Sequence, residues 1–326
     1  MIKLFGKNTV VQVAIILLVT TLLWIDAIAD PQPMAASEGF APLYSILCSL
    51  ALPPTVTVII AMVLVMMGAF YFNLILSNAG LAKQNSLFPT LLFIVFMSAG
   101  TSTLSPSLLA VLTVLFFVDK FLLHSSHLDI APDKIFGAAA LIGIASMFYL
   151  PALTLSVAYI LIAVNHRLYG WRCWMMFLLG LLAPYLLLWS ILLFTGGLVV
   201  SFAAMGALFD CLSLHAGEFT SLQAIANAVL LAAFAISLFV VWRRLGEKNI
   251  VWQKNAATIM FITVASLATL PFAQLFPINF QFFAIPFTFC LDQRLSQTRR
   301  RPSQRRAAGR LYDLLLILII LAAIAC

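Results

Sequence analysis

Polar positions are sparse along this chain, and they serve mainly to separate long apolar runs that recur from Val10 to Cys326. The runs are continuous and do not alternate, so they predict helices; a barrel strand would alternate apolar and polar residues over ~10 positions. The first, Val10 to Ile28, is long enough as a helix to cross a hydrocarbon core about 30 Å thick. Leu43 to Leu76 is too long for one upright span and too short for two, and Pro53-Pro54 breaks it. Leu43 to Leu52 is therefore expected along the outer interface, with Thr55 to Leu76 as the span.

The next two runs are expected to be tight hairpins. Leu87 to Val118 joins Lys83 to Lys120 and turns near Ser105-Pro106-Ser107; Ile135 to Val164 joins Lys134 to Arg167 and turns at Tyr149-Leu150-Pro151. Their halves are shorter than the ~20 residues of an ordinary span, which requires ends surrounded by protein or opening into an aqueous recess. Trp174 to Phe194 then leaves and Ala224 to Trp242 returns, with Thr195 to Gln223 as the longest outer connection. Ala256 to Phe272 and Phe276 to Leu291 form a third pair around Pro271 and Pro277, and Leu311 to Ala325 is the last span. The expectation is an all-α polytopic bundle of about eleven spans.

Composition agrees. With 63% hydrophobic and 9% charged residues and a mean hydropathy of +1.10, the chain lies far from soluble domains. No polar block is long enough to fold separately, so residues 1–326 are read as one transmembrane domain. The start has the basic-then-apolar layout of a signal peptide without a small-x-small cleavage site, so the first span is expected to be retained. The five cysteines are scattered and imply neither a disulfide framework nor a zinc site.

Charge changes the picture by its distribution. Lys3 and Lys7 place the N-terminus in the cytoplasm, and this threading puts all eighteen Lys and Arg residues on that side. The basic loop 293–310 holds Arg299, Arg300, Arg301, Arg305 and Arg306, which are expected to contact anionic lipid head groups; nucleic acid is not an expected partner.

The outer face is left with Asp26, Asp30, Glu38, Asp210 and Glu218, joined by His215. Asp26 and Asp30 stand at i, i+4 on one helix face at the membrane boundary, an arrangement that is either a working carboxylate pair or a solvated helix end. As a site they are read as catalytic, with Glu38, Asp210 and His215 binding substrate. A divalent cation held by oxygen ligands, a general base and a bound coupling ion all fit such a rim, as does the bland residue of the positive-inside rule.

On the cytoplasmic side, His124 and His127 with Asp129 and Asp133 have a metal-like spacing that a short polar loop explains equally well. His166, Arg167, Trp171 and Arg172 form a basic-aromatic turn that interfacial anchoring accounts for.

The stretch from Ile135 to Phe194, the opening MIKLFGKNTVVQ and the segment LLWIDAIADPQPM resemble an uncharacterised family of bacterial polytopic integral membrane proteins of around three hundred residues. That resemblance implies the bacterial inner membrane and no particular activity. The order of a first span, acidic first outer loop, interfacial helix, hairpin and basic turn is also similar to membrane glycosyltransferases that use polyprenyl-phosphate sugar donors. This likeness implies a lipid-linked sugar as partner and a base or metal-ligand role for Asp26 or Asp30. The chain departs from the pattern in having no outer Lys or Arg for the donor phosphate and no sizeable extracytoplasmic domain; a metal ion could supply the missing charge. The rival classes are a transporter or flippase in which Asp26 and Asp30 bind the coupling ion, and an assembly subunit without a site.

Overall fold

A computed structural model describes residues 9–34, 41–82, 86–98, 103–122, 132–166, 170–195, 235, 238–239, 241–243, 249–269 and 280–298. The described elements are helical. In chain order they are α1 (Thr9–Ala29), α2 (Pro42–Ser49), α3 (Pro54–Asn78), α4 (Phe88–Ser98), α5 (Pro106–Leu122), α6 (Pro132–Phe148), a 3-10 turn (Leu150–Thr154), α7 (Leu155–Asn165), α8 (Trp171–Thr195), α9 (Ile250–Thr269), a second 3-10 turn (Phe280–Phe283) and α10 (Ala284–Thr298).

Proline sets several of these boundaries. Pro42, Pro54, Pro106 and Pro132 each open a helix, where the missing N–H would have no intrahelical partner anyway. Gly80, at φ +67°, closes α3, and the Leu81 and Ala82 N–H groups turn back to the Leu76 carbonyl. The breaks expected at Pro53-Pro54, Ser105-Pro106-Ser107 and Tyr149-Pro151 are all present.

Helix α4 carries apolar residues on every side, and Phe88 to Met97 are all buried. It forms the centre with α10, against which Phe96 and Phe287 meet edge to face at 4.0 Å. The expected enclosure of the first hairpin therefore holds for α4. The second hairpin departs from expectation, because α7 leaves Val157, Ile160 and Val164 about half exposed, at 41%, 43% and 51%. Its other face packs on α9, so α7 lies at the rim of the bundle.

Polar bonds between helices give their relative directions. The Leu87 N–H donates to Gln12 Oε1 at 2.9 Å and Trp24 Nε1 donates to Ser98 Oγ at 2.9 Å, so α1 and α4 run parallel. Gln281 Nε2 donates to the Met97 carbonyl at 3.4 Å and Gln293 Nε2 to the Leu81 carbonyl, so α10 runs opposite to α4. Asn255 Nδ2 reaches the Ala79 carbonyl at 3.2 Å while Ser266 Oγ reaches the Phe282 carbonyl at 3.1 Å, so α9 runs with α4. Thr154 pairs with Ala265 and His166 with Thr258, so α7 opposes α9.

Helices α6 and α8 are parallel and in close contact. A Cβ on Gly180 would stand 2.4 Å from the Phe136 carbonyl oxygen, and one on Gly143 would stand 2.8 Å from that of Leu181. Ser146 Oγ and Tyr185 Oη share a hydrogen bond of 2.6 Å one turn further along. Two missing side chains thus admit the backbones, as is usual where apolar helices pack without a hydrophobic driving force between them.

These directions agree with the alternation read from the basic residues. Helices α8 and α9 run the same way; the return span expected over Ala224 to Trp242 lies outside the described residues except at 235, 238–239 and 241–242. Helices α1, α3 and α8 are long and apolar enough to cross a membrane. Their outward faces expose rows such as Leu18, Leu22 and Ile25 on α1 and Leu186, Leu187 and Ile191 on α8, a surface suited to lipid. Among the described residues, these three are the helices that reach that length and apolarity; Phe88–Ser98 and Leu150–Asn165 are shorter apolar helices. Helix α9 starts six residues before the expected Ala256, and α10 runs past Leu291 to Thr298 because Gln293 is held on Leu81.

Candidate functional site

One end of the bundle gathers the interrupted backbone. Helix α4 stops at Ser98, α5 starts at Pro106, the α6–α7 hairpin turns through its 3-10 segment, and the Phe280–Phe283 turn precedes α10. Chain that leaves a helix must satisfy its freed N–H and C=O groups by other means, and here polar side chains do so. Gln281, fully buried, accepts from Ser107 Oγ at 2.7 Å while its amide donates to Met97. Ser107 also shares a 3.2 Å bond with Ser105, whose Oγ accepts the Leu108 N–H. Tyr44 of α2 donates its hydroxyl to the Leu104 carbonyl at 3.2 Å, and the Tyr149 ring stacks on Phe282 at 5.7 Å.

The end of α1 lies at the same level, fixed by the bond from Trp24 to Ser98. Asp26 and Asp30 follow within two turns and are both exposed. The Asp30 N–H bonds to the Asp26 carbonyl at 3.0 Å, extending the helical pattern past Ala29, and Asp30 Oδ2 accepts from Gln32 Nε2 at 3.1 Å. Both carboxylates are therefore exposed at the end of α1, at the end of the bundle that also holds the buried, uncharged cluster of Gln281, Ser105 and Ser107.

Such a face can accept protons or hold a cation through oxygen atoms. For a divalent metal the pair supplies two carboxylates, and among the described residues no group of three or more His, Cys, Asp or Glu side chains gathers around a common centre. A metal at Asp26 and Asp30 would need its remaining oxygen ligands from water, substrate or residues 35–40.

Glu38, Asp210, His215, Glu218, Arg299, Arg300, Arg301, Arg305 and Arg306 lie outside the described residues, as do His124, His127 and Asp129. Asp133 is exposed on the first turn of α6. His166 is at the opposite end of the bundle from Asp26, where its Nε2 lies 3.4 Å from Thr258 Oγ1.

In the sequence the Ser105-Pro106-Ser107 and Tyr149-Pro151 segments read as turns without chemistry, and Gln281 does not stand out as a site residue. The signal available for Gln281 is an amide, with Asn279, inside the otherwise apolar run FPINFQFFAIPF, since a buried amide must find partners. Tyr71 of α3, which faces Asp119 of α5, likewise carries no distinguishing signal in the sequence.

In comparisons with known proteins, no family model matches the chain, and neither a curated protein nor a solved structure matches it.

Proposed function

We propose that this chain is a multi-pass protein of the bacterial inner membrane that acts on a lipid-linked sugar at the outer end of the bundle, in the manner of a polyprenyl-phosphate-dependent glycosyltransferase. The supporting observation is the placement of Asp26 and Asp30 on one exposed helix face, at the end where α4, α5, the α6–α7 hairpin and α10 are interrupted. In this reading one carboxylate accepts the proton of the acceptor hydroxyl as its oxygen bonds to the sugar carbon and the polyprenyl phosphate leaves. A divalent cation shared by Asp26 and Asp30 would offset the leaving phosphate's charge. Glu38, Asp210 and His215 are proposed to bind substrate, and Arg299, Arg300, Arg301, Arg305 and Arg306 to hold lipid head groups at the opposite face.

The interrupted helices favour a second reading, a transporter or flippase, since non-helical backbone at membrane depth commonly surrounds a translocated solute. In that case Asp26 and Asp30 bind the coupling ion. A deletion strain separates the two. Accumulation of a lipid-linked sugar with loss of that sugar from envelope glycans supports transfer; normal glycans with lost uptake or export of a solute support transport and overturn the glycosyltransferase reading.

A further inference from the structure

A carboxylate stands at the outward-facing seam between α3 and α5. The two helices run side by side, since a Cβ on Gly68 would run into Leu112 and, one turn on, the Tyr71 and Phe116 rings lie 5.0 Å apart. Tyr71 also faces Asp119. Asp119 is partly exposed, and among the described residues no cation pairs with it. Its surroundings are open to the outside of the bundle, with Phe116 48% and Leu74 53% exposed. Tyr71 lies about 10 Å before the end of α3 at Asn78, so Asp119 stands level with the last turns of a helix long and apolar enough to span. An ion on that surface is costly unless something pairs with it.

A groove on α3 supplies the second observation. Val63, Met66, Met67 and Phe70 line an open cavity of about 300 Å³ on the surface of this helix. Met67 and Tyr71 are neighbours at i, i+4, so the groove leads along α3 to the place where Tyr71 faces Asp119. Its lining is apolar, and two of the four side chains are methionines, whose unbranched thioethers adapt to a chain of variable shape. A slot suited to hydrocarbon thus ends beside a negative charge.

We propose that α3 and α5 bind a phospholipid with a primary ammonium head group, its acyl chain along Val63, Met67 and Phe70 and its ammonium on Asp119. The head-group chemistry follows from the charge. A primary ammonium donates hydrogen bonds to a carboxylate, whereas a quaternary choline has no donor and an anionic head group is repelled. The site does not depend on what Asp26 and Asp30 do.

The test is native mass spectrometry of the full chain, released from mixed micelles that contain phosphatidylethanolamine, phosphatidylcholine and phosphatidylglycerol with identical acyl chains. Retention of phosphatidylethanolamine should exceed that of phosphatidylcholine about threefold or more, as for a partly exposed charge-assisted hydrogen bond. Asp119→Asn should bring it down to the phosphatidylcholine level, and Asp119→Glu should keep the preference. Met67→Trp, at a position 65% exposed, should fill the groove and lower retention of both lipids. Equal retention of the two lipids by the wild type overturns the proposal, as does a preference that survives in Asp119→Asn or retention that is unchanged in Met67→Trp. Met67→Cys chains that crosslink to one another in nanodiscs of phosphatidylethanolamine also overturn it, because the groove then belongs to a second copy of this chain.

Discussion

Trp24 of α1 donates its indole N–H to Ser98 Oγ at 2.9 Å, which ties the last turns of α1 to the point where α4 stops. Trp24 is only 1% exposed, so its donor has no water to fall back on. The bond should contribute about 0.5–1.5 kcal/mol. A double-mutant cycle of Trp24→Phe and Ser98→Ala, followed by thermal unfolding in detergent, is expected to show coupling of that size. Strictly additive losses would show that the two residues act independently.

The α6–α8 contact makes a sharper prediction. Gly180→Ala brings a methyl group 2.4 Å from the Phe136 carbonyl and 2.9 Å from Ala139 Cβ, so the helices must separate. Destabilisation of about 1–3 kcal/mol is expected, as for overpacked cores. Gly137→Ala is the control, since nothing lies within 4 Å of its added Cβ. It should be neutral or slightly stabilising, because alanine favours helix.

His166 should make stability depend on pH in one window. Its folded pKa is lowered from 6.5 to about 4 by burial and Lys254, so between those values the unfolded chain binds the proton more readily. This contribution is fully present above pH 6.5 and is lost as pH falls toward 4. The melting temperature of the wild type should fall relative to that of His166→Gln as the pH drops across that range. A constant gap would mean that His166 is protonated equally in both states.

How far the fold could be read from the sequence depended on the kind of signal. Breaks carried by proline were legible because proline removes a donor whatever its surroundings, and Pro54, Pro106 and Pro151 mark real boundaries. Helix ends set by contact were not. Helix α10 continues past Leu291 because Gln293 finds the Leu81 carbonyl, a partner distant in sequence. Likewise Asp26 and Asp30 are visible through their spacing, whereas the polar cluster at the same end of the bundle depends on Gln281 meeting Ser107 from another helix. The exposed face of α7 was missed because an apolar residue facing lipid and one facing protein look alike in sequence.

Relative helix directions lead to a topology prediction. A reporter active only outside the cytoplasm should work when fused after Met34 or Gly217 and fail after Lys83, Lys134, Arg172 or Arg306. Activity after Lys134 would invert the orientation of α6 and place every following segment on the wrong side.

The carboxylate pair is the centre of the functional proposal, and Asp26→Asn tests it most directly. The exchange keeps size and hydrogen-bonding capacity on an exposed position, so abundance in the membrane should stay nearly unchanged. The measurement is the ratio of lipid-linked sugar donor to sugar transferred into envelope glycans, in cells carrying Asp26→Asn, Asp30→Asn or the wild type at equal protein levels. The donor is expected to accumulate and the glycan to lose the sugar in Asp26→Asn, with an equal or weaker effect in Asp30→Asn. Wild-type ratios in both variants would make the pair a solvated helix end and contradict the proposed function at its centre.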